Sequence, residues 1–247
     1  MMHYQTIFLS DIHLGTRGCK AQKLLDFLKD NESETIILVG DIIDVWALKR
    51  KVYWPQTHND VIQKLLKKAR KGTKIIYIPG NHDEFLRDFA DVNFGNNVFI
   101  KNEYIYETLK GEKLLIIHGD KFDNIVLYNK NLAIIGDIAY SILLIVNDWF
   151  QNLKKIFNFK SKWSLSAFLK NKVKQSVNFI SNYEYAVVHE CNERGLKGII
   201  CGHIHHPNLK FMGENGKILY INTGDWVESC TALVEHLDGQ IELIYKD

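Results

Sequence analysis

The chain has 247 residues, 46% of them hydrophobic and 24% charged, with a formal net charge of +2. That length and apolar content can bury a full core without staples, and the charged fraction is that of a globular protein, not a disordered one. A charge this small does not by itself point to nucleic acid. The four cysteines, Cys19, Cys191, Cys201 and Cys230, are scattered with no CxxC pair. That spacing argues against a zinc ribbon or a redox motif, and a disulfide framework is not expected in a chain this long with no secretory leader. The first residues run straight into an apolar strand and not a leader, so the expected location is cytoplasmic.

In chain order, residues 6–9, 35–39 and 74–78 read as short buried strands. Amphipathic stretches around residues 21–29 and 61–71 separate them, and this alternation predicts an α/β sheet with crossover helices. Further strands are expected at residues 98–100, 104–109 and 114–117. The character then changes. From residue 124 to 193 the sequence has no glycine except Gly136 and no proline. Leu165, Leu169, Val173, Val177 and Ile180 recur at spacings of three and four, one face of a helix. We read this region as a helical insertion, or cap, within a single domain spanning residues 1–247. Strands return at residues 198–201, 218–221, 230–235 and 241–245. The most apolar stretch, residues 132–146, contains Asp137 and is shorter than the roughly 18–20 residues that span a bilayer. No transmembrane helix is predicted.

Five polar clusters follow directly on apolar strands. They are Ser10-Asp11-Ile12-His13, Gly40-Asp41-Ile42-Ile43-Asp44, Gly80-Asn81-His82-Asp83, His118-Gly119-Asp120 and Gly202-His203-Ile204-His205. Ligands of open α/β sheets bind beyond the carboxyl ends of the strands, so all five could converge on one crevice. Each cluster alone has an ordinary reading: Asp-x-His as a helix cap, Gly-Asp as a turn, His118 as a hydrogen-bonded core histidine. Their joint occurrence decides, because five of the ten histidines fall inside these clusters. Asp, His and an Asn carbonyl together suit a borderline divalent ion such as manganese, iron or zinc.

The five blocks, in this order, resemble the calcineurin-like metallophosphoesterase superfamily, with its D-x-H, G-D-x-x-D, G-N-H-D, H-G and G-H-x-H pattern. The resemblance implies a four-layer αββα sandwich and a metal-dependent hydrolase of phosphoric esters or diphosphates. It further implies two divalent cations, manganese first, with iron or zinc as alternatives. Asp11, His13 and His205 would bind one, Asn81, His118 and His203 the other, and Asp41 both. His82 would act as acid or phosphate contact, supported by Asp44. Asp83 is expected to cap the following helix.

Within the superfamily the chain is most similar to the UDP-2,3-diacylglucosamine diphosphatases of lipid A synthesis and their paralogues. Ser10-Asp11-Ile12-His13-Leu14-Gly15, Asp44-x-Trp46, His118-Gly119-Asp120, Gly202-His203-Ile204-His205-His206-Pro207 and Gly224-Asp225-Trp226 carry that likeness, as does the position of the insertion. Those diphosphatases usually have Arg where this chain has His82, the generic superfamily residue. The implied substrate is UDP-2,3-diacylglucosamine or a related nucleotide- or lipid-linked molecule. The alternatives are a soluble phosphatase or phosphodiesterase acting on nucleotides or phosphomonoesters, and a non-catalytic metal-site scaffold.

Between residues 149 and 175 the insertion holds seven lysines and no acid, interleaved with Phe150, Phe157, Phe159, Trp163 and Phe168. That composition fits an anionic membrane surface, which would place the protein peripherally on the inner face of the membrane. A cap with an aromatic core and a solvated lysine face reads equally well, and nucleic acid less so. Arg17, in the loop after His13, could grip a substrate phosphate. Trp46 and Trp226 could wall the cleft, with core packing the first expectation for each, and Cys19 is expected as a small buried or semi-buried filler.

Overall fold

A computed structural model describes residues 2–95, 97–123, 165–213 and 216–246, with the backbone alone for residues 165–175 and 178. Residues 124–164, which hold much of the sequence assigned to the insertion, lie outside the described residues. The chain divides into two compact units, residues 1–120 with 187–247, and residues 121–186.

The elements begin with β1 (Met2–Leu9), α1 (Ala21–Asp30), β2 (Asn31–Val39), α2 (Val45–Arg50), α3 (Gln56–Arg70) and β3 (Lys74–Ile78). Next come β4 (Asn93–Phe94), β5 (Val98–Ile100), β6 (Tyr104–Glu107), β7 (Lys113–Ile116) and α4 (Leu165–Glu193). The chain closes with β8 (Gly198–Cys201), β9 (Asn208–Met212), β10 (Ile218–Asn222), β11 (Thr231–Glu235) and β12 (Ile241–Tyr245). The strands form a seven-stranded sheet, β12-β11-β1-β2-β3-β5-β4, and a five-stranded sheet, β6-β7-β8-β10-β9.

Side-chain parity along each strand builds the layers. Successive residues of a strand face opposite sides of its sheet. In the first sheet Phe8, Ile37, Val39, Ile76, Ile78 and Leu233 turn one way and meet Leu114, Ile116, Ile200, Leu219 and Ile221 of the second sheet. Their neighbours Ile7, Leu9, Ile36, Leu38, Ile75 and Val234 turn the other way and pack under Leu24, Leu28, Val61 and Leu65 of α1 and α3. Strands buried on both faces read as continuous apolar runs, which is how they stood out in the sequence. On the outer face of the second sheet Leu115, Ile199 and Tyr220 are buried, as are Val187, Val188 and Cys191 near the end of α4. Helices α1 and α3, the first sheet and the second sheet are thus stacked in that order. Each fully buried Leu or Phe contributes ~1.5–3 kcal/mol, so Phe8→Ala between the sheets is a change that opens this core. In the second unit Phe122 meets Tyr183 edge to face, centroids 6.4 Å apart. Among the described residues no helix is long and apolar enough to cross a membrane.

Several boundaries differ from expectation for local reasons. β2 begins at Asn31, ahead of its apolar run, because Lys68 Nζ donates to the Asn31 carbonyl and Glu32 at 2.6 Å and Thr73 Oγ1 to the Ser33 carbonyl at 3.1 Å. β6 stops at Glu107 since residues 108–112 turn back, with Gly111 N donating to Thr108 O at 2.9 Å. α3 starts at Gln56, straight after Pro55, whose fixed φ suits a helix entry. The short α2, β4 and β9 carry too little apolar periodicity to be read from sequence.

Candidate metal centre

β1, β2 and β3 run parallel, as do β7, β8 and β10. All five polar clusters lie in the loops that leave the carboxyl ends of β1, β2, β3, β7 and β8. The backbone there is strained. Seven described non-glycine residues have positive φ, and five are Asp11 (49°), His13 (53°), Asp41 (54°), His203 (70°) and His205 (51°). Such conformations persist where the surroundings over-determine them, and they concentrate at functional sites. Two glycines make room for the result. A Cβ on Gly80 would fall on the Asp41 carboxylate, and one on Gly202 on that of Asp11.

The side chains converge. Asp11, His13 and His205 present ligand atoms within 4.8 Å of one another, and so do Asp41, His118 and His203. A third grouping, His13, Asp41 and His82, joins the two. His205 Nε2 lies 3.2 Å from Asp11 Oδ1 and 3.2 Å from His13 Nε2, and His118 Nε2 lies 3.2 Å from Asp41 Oδ2. Two nitrogens at 3.2 Å need a proton between them or a shared partner. The outward ring nitrogens are tied down. His118 Nδ1 donates to the Val39 carbonyl at 2.9 Å, and His13 Nδ1 lies 3.2 Å from Asp44 Oδ2. Those partners fix the tautomer with Nε2 facing the cluster, the arrangement that holds a metal-binding histidine.

Charge favours a cation. Burial alone would raise the Asp41 carboxyl, but His118, His13 and His82 outweigh it and hold it well below the usual range. Burial likewise opposes Asp11, and His205 and His118 bring it down. His205 is pushed up to about 9, because Asp11 overrides the burial that disfavours its charge. The carboxylates thus stay ionised and draw positive charge onto the rings. Asn81 Oδ1 is buried with no hydrogen-bond partner among the described residues. An orphaned buried carbonyl costs ~1–3 kcal/mol, and a cation would satisfy it. Carboxylates, imidazoles and an amide oxygen are a donor set that fits divalent ions of the manganese, iron and zinc type.

Other expected site residues stand nearby or outside. Asp44 Oδ1 lies 3.0 Å from His82 Nδ1, so one carboxylate faces both His82 and His13. Arg17 is exposed, its guanidinium 4.7 Å over the Tyr53 ring. Asp83 does not cap the following helical turn: it makes no side-chain cap bond there. It accepts instead from the amides of Gly80 (2.6 Å) and Ile42 (2.8 Å) and from Tyr77 Oη (2.5 Å). Trp46 is not core either. It is 43% exposed, its ring 4.4 Å from that of His82, whereas Trp226 is fully buried. Cys19 is half-buried against the first core, and burial pushes its thiol up to about 12.

Two supports were missed in the sequence. Asp225 receives the amides of Val227 (2.7 Å) and Glu228 (2.5 Å), while Trp226 N donates to Asp11 O at 3.0 Å. This turn pins the first ligand loop. His58 of α3 accepts from Gly15 N at 3.1 Å and holds the same loop from its other side. The Gly224-Asp225-Trp226 run stood out only as part of the family likeness, and its partner Asp11 is over 200 residues away. His58 carried no signal, being one histidine in a helical pattern.

The family model of calcineurin-like phosphoesterases matches residues 4–207. The chain belongs to this family. It is a metal-dependent phosphoester hydrolase, and the clusters that the model spans are those converging above. A UDP-2,3-diacylglucosamine hydrolase of Aliivibrio fischeri (strain MJ11) is 25% identical over 98% of both chains. A protein of the same name from Porphyromonas gingivalis (strain W83) is 28% identical over 49% of this chain and 47% of its own. A solved dimetal phosphatase from Danio rerio aligns over 99% of both chains at 12% identity, with a TM-score of 0.48.

Proposed function

We propose that the protein hydrolyses a phosphate or diphosphate bond of a nucleotide- or lipid-linked substrate, with UDP-2,3-diacylglucosamine the first choice. The observation that carries the reading is the convergence of Asp11, His13, Asp41, His118, His203 and His205 at one end of the two sheets, with Asn81 Oδ1 unpartnered beside them. The substrate choice is supported by the likeness to the Aliivibrio fischeri hydrolase over 98% of both chains.

In this reading Asp11, His13 and His205 would hold one divalent cation, Asn81, His118 and His203 would hold a second, and Asp41 would serve both. Manganese is the ion we propose. When bound, two such cations would supply polarisation of phosphoryl oxygens and a water whose pKa falls towards about 7. The protein's own part is proton handling. One P–O bond forms to a water oxygen and one breaks to the leaving oxygen, which takes the proton from His82 Nε2. Asp44 orients that ring, and His82 regains the proton from water. Arg17 contacts the substrate phosphate once it leaves the Tyr53 ring. Residues 149–175, basic and aromatic, would rest on the anionic inner face of the membrane in the cytoplasm.

His82 also favours a second reading, a phosphatase or phosphodiesterase of nucleotides or phosphomonoesters, because the histidine is the generic residue at that position. A manganese-supplemented screen against UDP-2,3-diacylglucosamine, UDP-sugars, cyclic nucleotides and a chromogenic phosphodiester separates the two. Turnover confined to the diacylated substrate supports the first; turnover of cyclic nucleotides alone would replace it.

A further inference from the structure

Three consecutive residues at the start of α2 hold His82 in three different ways. Asp44 Oδ1 approaches its Nδ1 at 3.0 Å, Val45 N donates to its carbonyl at 3.2 Å, and the Trp46 indole lies on its ring, centroids 4.4 Å apart and planes inclined by 37°. His13 meets the same imidazole edge-on, at 4.7 Å and 86°. The His82 ring thus touches both an indole and a second imidazole.

The core does not explain the indole. α2 has no buried residue, and Trp46 is itself 43% exposed. A large aromatic on a solvated helix of six residues needs another reason to stay ordered, and the contact that orders it is the ring of His82. The Asp44 contact does not fix that ring alone. It is short but poorly aligned, so that His82 Nδ1 lacks a hydrogen bond of good geometry. A ring tethered only at Nδ1 can pivot about that contact. The Trp46 face blocks the pivot and keeps Nε2 directed at the cluster, 4.0 Å from Asp41 Oδ2.

We propose that Trp46 is the positioning residue for His82: its indole holds the imidazole in the orientation from which Nε2 delivers a proton to the leaving oxygen. This rests on the reading of His82 as proton donor. Reaction rates are sensitive to such placement, and a misdirected group about 1 Å out of position costs on the order of 10²-fold.

The test compares two phosphodiesters on the manganese-loaded protein, one with a nitrophenolate leaving group, which departs without a proton, and one with an alkoxide leaving group, which needs one. His82→Ala should lose far more on the alkyl ester than on the nitrophenyl ester. Trp46→Leu should follow it in kind, losing roughly 10- to 100-fold in kcat on the alkyl ester with KM within about twofold and little change on the nitrophenyl ester. Trp46→Phe should restore most of the loss, and His82→Ala combined with Trp46→Leu should be no worse than His82→Ala alone. Metal content and melting temperature should stay at wild-type values, since Trp46 is 43% exposed and packs into no core. A Trp46→Leu loss equal on both esters, a change in KM alone, or multiplied losses in the double variant would overturn the positioning role and leave His82 as donor. If His82→Ala showed no dependence on the leaving group, the donor reading would fall, and the positioning role with it.

Discussion

Asp83 Oδ2 accepts the amide of Ile42 at 2.8 Å, so the loop that leaves β3 holds the loop that leaves β2. The same carboxylate takes the amides of Ile43 at 3.3 Å and Gly80 at 2.6 Å. Asp41 and Asn81, on the two loops, are thereby set beside each other through one buried side chain. Asp83→Ala leaves several buried amides and the Tyr77 hydroxyl without a partner, at ~1–3 kcal/mol each. The expected outcome is a clear fall in melting temperature together with weakened manganese retention. Asp83→Asn, which keeps one acceptor oxygen, should fall between. An alanine variant that melts with the wild type and keeps its metal would show that the two loops are fixed by something else.

His58 gives the stability a pH dependence of known sign. Its Nδ1 accepts from Gly15 and so carries no proton, and burial pushes the imidazole below its ordinary 6.5. As pH falls past 6.5 the unfolded chain takes up a proton that the folded chain still refuses. The contribution is complete above that pH and is lost as pH falls towards the lowered folded value. His58→Gln keeps an acceptor without titrating. Urea midpoints at about pH 7.5 and pH 5.5 should therefore differ less in His58→Gln than in the wild type. Equal differences would remove His58 from the account.

Much of the centre was legible because its chemistry is local. Each candidate ligand pair sits within a few residues of a strand end, as in Asp11 with His13 or His203 with His205, and a buried strand announces itself by its apolar run. Trp46 was misplaced for the opposite reason. An aromatic beside an apolar run reads as core, and only the fold brings His82, from another strand, under its face. Asp83 was likewise read from its neighbours as a cap, whereas its partners Ile42 and Ile43 lie about 40 residues away. No residue of α2 is fully buried, and in β9, a five-residue sheet edge, the alternating Leu209 and Phe211 are the exposed residues, so both elements are too short and too exposed to stand out.

For the membrane reading, reversing Lys154, Lys155, Lys160 and Lys162 to Glu should abolish binding to anionic vesicles. Each such charge is worth about 1 kcal/mol near the surface, and added salt should mimic the reversals. Turnover of a small water-soluble phosphodiester should be unchanged. Vesicle co-sedimentation decides it: no binding by the wild type, or binding that survives all four reversals, removes the membrane from the proposed function.

The most direct measurement of the central claim is manganese content per chain, taken with phosphodiester turnover on the same samples of wild type and Asp41→Ala. Asp41 lies between the two groupings, 3.2 Å from His118 Nε2 and 3.9 Å from His13 Nε2. Without its charge the two cations would face each other less screened. The wild type is expected to hold about two equivalents and to show chelator-sensitive turnover. Asp41→Ala is expected to lose at least one equivalent and to show activity near background, with circular dichroism unchanged. An Asp41→Ala protein that kept both equivalents and turned over like the wild type would show that Asp41 is not shared by two catalytic cations.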